Sequence, residues 1–245
     1  MAERPRQLPL ALPIVEALGV DDYVVSTANR AAFDLVTAER WAGDVVLLIG
    51  PEGAGKTHLA AVFAATTGAT VVAAADLCRH DPIDLVAGGA VVVEDAGEEQ
   101  EEGGERALFH LLNAVRQAGA RCLITARRPP SAWSGGLADL ASRLRAATPV
   151  ELGLPDDRLL EALIAKLFAD RQTTVDPAVI AYLARRMERS FTAAVRLVEA
   201  LDREALAAKG PIGRGLAAEV LARGFDAEPQ LPGLDESDTA ENNSS

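Results

Sequence analysis

The chain has 245 residues, 49% hydrophobic and 24% charged, which provides for a substantial core and excludes wholesale disorder. Its 24 basic residues stand against 36 acidic ones, a net charge of −12 that disfavours direct, tight binding to a phosphate backbone, and 4% aromatics are too few for base-stacking platforms. Cys78 and Cys122 make neither a disulfide framework nor a metal cluster, no apolar run approaches the roughly 18 residues of a membrane span, and the N-terminus lacks an apolar signal core; the expectation is a soluble cytoplasmic protein with no membrane association.

In chain order, a Pro-containing N-terminal segment (1–20) precedes a region (21–153) in which short apolar runs alternate with helical patterns. Val45–Ile49 is too short for a helix and ends at Gly50-Pro51, as a strand buried on both faces does. Similar runs recur at 70–74, 90–93, 122–125 and, more weakly, 149–152. Between them lie helical stretches at His58–Ala65 and Ala107–Val115, the second with Leu108, Leu111, Leu112 and Val115 on one face. Strands alternating with helices predict an α/β fold with a parallel five-stranded sheet flanked by helices. From 154 to 224 only helical periodicity remains, which predicts a small all-α subdomain. Its stripes are Leu159, Leu160, Leu163, Ile164 and Leu167, then Val179, Ile180, Leu183 and Met187, then Ala194, Val195, Val198 and Leu201. Asp176-Pro177 opens its second helix as N-cap and first helical residue. Residues 225–245 hold six acids and no base, and read as a disordered acidic tail.

Gly50-Pro51-Glu52-Gly53-Ala54-Gly55-Lys56-Thr57 follows a buried strand, opens a helix and fits the eight-residue phosphate-loop pattern at each fixed position. The glycines let backbone N–H groups turn toward an anion, which the helix dipole favours. Lys56 would reach the β- and γ-phosphates and Thr57 would offer its hydroxyl to Mg²⁺. The expected ligand is therefore ADP or ATP with Mg²⁺. A partner strand ending in acids is Val91-Val92-Val93-Glu94-Asp95. In hydrolysing members of this architecture the first acid is Asp, for the metal, and the second Glu, for water. Here the order is inverted, so the looser fit predicts binding with weak intrinsic hydrolysis, Glu94 taking the metal.

The order of phosphate loop, acid-ended strand, polar-ended strand and helical lid resembles the AAA+ ATPases, and within them the branch related to the replication initiator DnaA. Gly50 to Leu59, including His58, is similar to that branch's phosphate loop and first helix. Val24 to Ala32 resembles its adenine-seating segment, with Asn29 in the matching place. Leu123 to Pro130 is similar to the sensor-one strand, implicating Thr125, although Thr-Ala-Arg stands where the family run is Thr-Ser-Asp. Asp139-Leu140-Ala141-Ser142-Arg143-Leu144 matches the segment presenting an arginine finger, which falls on Arg143; by residue type alone, Arg143 and Arg145 read equally as surface arginines of an amphipathic helix. In the lid, Thr192 stands where DnaA has its sensor-two arginine, leaving Arg189 and Arg196 as alternatives.

DnaA continues past its lid into a DNA-binding domain, whereas here the helices stop near Arg223. Gln7-Leu8-Pro9-Leu10-Ala11-Leu12 looks like the clamp-binding hexapeptide of bacterial replication proteins: Gln7 at a pocket rim, Leu8, Leu10 and Leu12 as its apolar residues, and Pro9 limiting the entropy lost on docking. The same segment reads alternatively as a strap packed on its own domain. The combination resembles the Hda family of DnaA regulators, its alphaproteobacterial members most nearly. That resemblance implies a regulator of replication initiation that binds the DNA polymerase III β sliding clamp, meets DNA only through the clamp, and presents Arg143 to DnaA; self-association stays open. Two other readings remain: a small-molecule P-loop kinase, with Arg127 and Arg128 for a second phosphate, and a non-catalytic DnaA-like module that uses nucleotide as a structural ligand.

Overall fold

The computed structural model describes residues 23–97, 103–133 and 138–225; the hexapeptide Gln7–Leu12, the acids of 98–102 and the tail from 226 lie outside the described residues. The chain divides into two compact units at Leu154 and Pro155. Among the described residues no helix is long and apolar enough to cross a membrane.

The first unit is a parallel sheet of five strands, β1 (Val45–Ile49), β2 (Thr70–Ala73), β3 (Ala90–Ala96), β4 (Arg121–Ala126) and β5 (Thr148–Glu151), in the order β2-β3-β4-β1-β5. Side chains along a strand alternate between faces, and the two core clusters divide accordingly. Val46 and Leu48 of β1, Val92 of β3 and Leu123 of β4 pack with α1 (Arg30–Thr37) and α2 (Lys56–Thr67). Leu47, Val91, Val93, Cys122 and Ile124 pack on the other side with α3 (Pro82–Val86), α4 (Gly104–Ala118) and α5 (Ala138–Arg145). Both faces are covered, which is why the central strands read as unbroken apolar runs. Cys122 belongs to this core, and burial pushes its thiol pKa up to about 12, so it acts as a packing residue rather than a nucleophile.

The sequence pattern places the strands well but stops the third too early. β3 runs on through Glu94 and Asp95 to Ala96, because a bulge keeps the strand paired after its apolar run has ended. Opposite β4, Val93 pairs with Ile124 and Ala96 with Ala126, so two residues of β3 face the single residue Thr125.

The second unit comprises α6 (Asp157–Asp170), α7 (Pro177–Ala184), α8 (Phe191–Ala208) and α9 (Arg214–Arg223). The first three are capped by side chains: Leu159 N–H donates to Asp156 at 2.7 Å, Ala178 N–H to Asp176 at 2.8 Å and Ala193 N–H to Ser190 at 3.3 Å. Each such cap satisfies a backbone donor that the first helical turn leaves unpaired, and contributes about 1 kcal/mol. The buried stripe of α6 ends on Phe168 rather than Leu167. That of α8 runs through Leu197 as well as Val198, with Val195 only half-buried.

Candidate nucleotide site

The phosphate loop leaves β1 under tight constraint. Gly50 N–H donates to Ala126 O at 3.1 Å and Leu152 N–H donates to Ile49 O at 2.7 Å, so the loop starts between the ends of β4 and β5. A Cβ on Gly50 would lie 2.2 Å from the Leu152 carbonyl oxygen, which leaves glycine as the residue that fits. Gly53 and Gly55 take φ of 74° and 90°, the left-handed values that turn the loop into α2. Lys56 is 7% exposed; its Nζ donates to Gly50 O at 2.8 Å and Pro51 O at 2.9 Å, which fixes a cation inside the loop. Ala54 is buried and Thr57, at the first turn of α2, is exposed. Across the loop, Arg127, the residue after β4, makes a 2.9 Å ion pair with Glu52.

The inverted acids separate in space. Asp95 sits at the bulge with φ of 55°, and its N–H donates to the hydroxyl of Thr125 at 3.0 Å. Thr125 is 1% exposed, so the residue implicated as sensor one holds the acid-bearing backbone in its left-handed conformation. Asp95 points to solvent, whereas Glu94 is half-buried. Burial holds the Glu94 carboxyl above the ordinary carboxylate range; the Thr57 hydroxyl, which donates to it, and the charge of Lys56 pull the other way, while Asp95 adds to the rise. Its Oε1 is buried with no hydrogen-bond partner.

An orphaned carboxylate oxygen beside a helix-start hydroxyl fits Mg²⁺, a hard cation that takes one or two protein oxygens and completes its shell with water and phosphate. Glu94 and Thr57 would hold it, and its charge would offset that of the phosphates. The sign of the pH effect follows from burial. A carboxyl whose folded-state pKa is raised costs the fold nothing below its ordinary value and destabilises it increasingly as pH rises through the raised one. Glu94→Gln should therefore raise urea-unfolding stability at neutral pH without Mg²⁺, and should remove the Mg²⁺-dependent gain in nucleotide affinity. In the native chain that gain should fade on acidification at a higher pH than an ordinary carboxylate would give. Calorimetry with and without Mg²⁺ checks both; a Glu94→Gln chain with unchanged Mg²⁺ dependence would contradict the assignment.

The segment before α1 is locked by Asn29. Ser26 N–H donates to Asn29 Oδ1 at 2.7 Å and Asn29 Nδ2 donates to Val24 O at 2.9 Å, with the residue 3% exposed. Asn29 therefore shapes the backbone of its own segment instead of presenting its amide to solvent. Tyr23 stacks on Phe33 with centroids 5.3 Å apart and meets His58 edge-on at 5.1 Å. This aromatic cluster, which sequence reasoning missed, ties the segment to the helix that follows the phosphate loop. Burial raises the Tyr23 hydroxyl to about 12, against a smaller opposing effect of Asn29, so the phenol stays protonated.

Arg143 lies on α5, half-buried, and its Nη2 donates to Asn113 Oδ1 on α4 at 2.9 Å; Arg145 is exposed. The structure thus distinguishes two arginines that residue type alone did not. Asn113 carries no sequence signal, since it meets Arg143 only once α4 and α5 pack together. In the helical unit Arg189 pairs with Asp157 at 2.6 Å and Thr192 is exposed.

No family model matches the chain. Over 217 residues it is 27% identical to the chromosomal replication initiator protein DnaA of Sphingopyxis alaskensis, an alignment covering 76% of this chain and 47% of that protein. Over this span the chain is DnaA-like in sequence. It spans about half the length of this curated relative. Among solved structures, domain III of Thermotoga maritima DnaA matches this chain with a TM-score of 0.73 at 16% identity, covering 88% of this chain and all of that one. AMPPCP-bound DnaA from Aquifex aeolicus matches at 0.63 and 19% identity, covering 83% and 68%. RuvB from Thermotoga maritima matches at 0.63 and 19% identity, covering 80% and 68%. The fold is therefore one shared with domain III of DnaA and with RuvB, a five-stranded parallel sheet with flanking helices and a helical C-terminal part.

Proposed function

We propose that this chain is a DnaA-related, Hda-type regulator of replication initiation: an adaptor that holds ADP or ATP with Mg²⁺, docks on the DNA-loaded β sliding clamp through Gln7, Leu8, Leu10 and Leu12, and accelerates ATP hydrolysis by DnaA. The observation that carries this reading is Arg143, whose guanidinium is fixed to Asn113 at 2.9 Å on a helix anchored by buried Leu140 and Leu144. A planar cation held in this way, brought beside a partner's γ-phosphate, stabilises charge that spreads in the transition state. Turnover then belongs to the partner's site. In this chain's own site the second acid, Asp95, is turned to solvent at a bulge, which supports nucleotide retention over hydrolysis.

The nucleotide is held by Lys56, the loop backbone and the start of α2. Mg²⁺, when bound on Glu94 and Thr57, supplies charge neutralisation. Arg189 is the arginine proposed as sensor two. The reading is tested by following radiolabelled ATP on DnaA with clamp-loaded DNA and ADP present. Adding this protein should speed hydrolysis, and an unstimulated rate would sink the proposal. Docking is read separately: Gln7→Ala with Leu10→Ala should abolish co-elution with the clamp, and unchanged co-elution would remove the hexapeptide from the account.

A further inference from the structure

The phosphate loop carries its charges in two places. Lys56 is inside, 7% exposed and bonded to the Gly50 and Pro51 carbonyls. Glu52 and Arg127 are on the rim, paired at 2.9 Å, with side chains 78% and 44% exposed. The backbone dictates this placement: Gly50 N–H donates to Ala126 O at 3.1 Å, so the residue before Arg127 is bonded to the first residue of the loop. An acid two residues into the loop and a base one residue past β4 must then face each other across its mouth.

In open parallel sheets the ligand occupies the crevice beyond the C-terminal ends of the strands. A diphosphate on such a loop lies deep, against backbone N–H groups and the helix N-terminus, whereas a third phosphate extends outward to the rim. We propose that the Glu52–Arg127 pair discriminates nucleoside triphosphates from diphosphates: Glu52 opposes the third phosphate and Arg127 supplies the cation that offsets it. The inference rests on the nucleotide-binding reading of the loop. An exposed ion pair is a weak interaction, so the guanidinium exchanges readily between carboxylate and phosphate. The carboxylate has no such choice and stays at the rim as a negative charge. The two residues therefore act on the same equilibrium with opposite sign, which a purely structural ion pair would not do.

The experiment titrates the full chain calorimetrically with ADP and with AMPPCP, a triphosphate analogue that is not hydrolysed, at fixed Mg²⁺ and salt. Glu52→Gln should raise the ratio of triphosphate to diphosphate affinity by about fivefold, the order expected for one charge acting through partly screened solvent. Arg127→Gln should lower the ratio by a similar factor, and the double variant should return close to the native value. Retained ADP binding shows that the variants fold. A ratio that stays constant, or that moves the same way in both single variants, overturns the discrimination while leaving the nucleotide site standing. If the native chain binds neither nucleotide, both inferences fall together.

Discussion

Replacing Arg143 by alanine should leave nucleotide binding by this chain unchanged and abolish its stimulation of ATP hydrolysis by DnaA. An arginine finger can supply about a thousandfold or more in rate, because it adds a full positive charge where the transition state spreads negative charge over the equatorial phosphate oxygens. Arg143→Lys should fail nearly as badly, since an ammonium lacks the planar fork that holds two oxygens at once. Arg145→Ala should retain stimulation, because Arg145 is exposed while Arg143 is held by Asn113 at 2.9 Å. Loss of the guanidinium costs the fold little, for α5 is anchored by Leu140 and Leu144. A defect in both Arg143 variants, with Arg145→Ala unaffected, therefore reads out chemistry in the partner's site. Full stimulation by Arg143→Ala, measured as phosphate released from DnaA, would remove the finger from the mechanism.

The second large effect is expected at Lys56. Its ammonium is buried and already positioned by the carbonyls of Gly50 and Pro51, so binding a polyphosphate needs little reorganisation. Hydrogen bonds to charged groups contribute about 1.5–3 kcal/mol each, so loss of two to a phosphate corresponds to a hundredfold or more in affinity, about 3 kcal/mol or above. Lys56→Ala should thus show no measurable ADP binding by calorimetry at micromolar protein. Normal ADP affinity in that variant would contradict the site. A thermal melt of the variant without nucleotide separates this from unfolding, because the two carbonyls are freed at a loop and not within the sheet.

How the site was read from the sequence divides along a physical line. The phosphate loop is contiguous, and Gly53, Gly55 and Lys56 act through their own turn and on carbonyls five or six positions away, so its pattern is visible in a short window. The contacts of Gly50 with Leu152, Glu52 with Arg127 and Thr57 with Glu94 are not. The cap Asp176, which bonds two residues along the chain, was legible in the same way as the loop pattern, while Asp156 and Ser190 became caps only in the structure. The acid pair was only half legible. Its residues could be named, but not that a bulge opposite Thr125 would send Glu94 toward Thr57 and Asp95 toward solvent. Asn29 was legible as a position and not as a contact, since its amide turns back on its own segment.

By itself, the sequence determined what depends on local periodicity and short-range bonding: buried parallel strands alternating with helices, a loop able to cradle phosphates, and a helical region after it. The tertiary structure alone decided which distant side chains meet. Asp95 and Thr125 are 30 residues apart, as are Asn113 and Arg143, and Glu52 reaches Arg127 only because β1 and β4 are neighbours in the sheet. Such pairings are set by strand register and helix packing, which are collective outcomes of burying both faces of one sheet, and no short window of residues contains them.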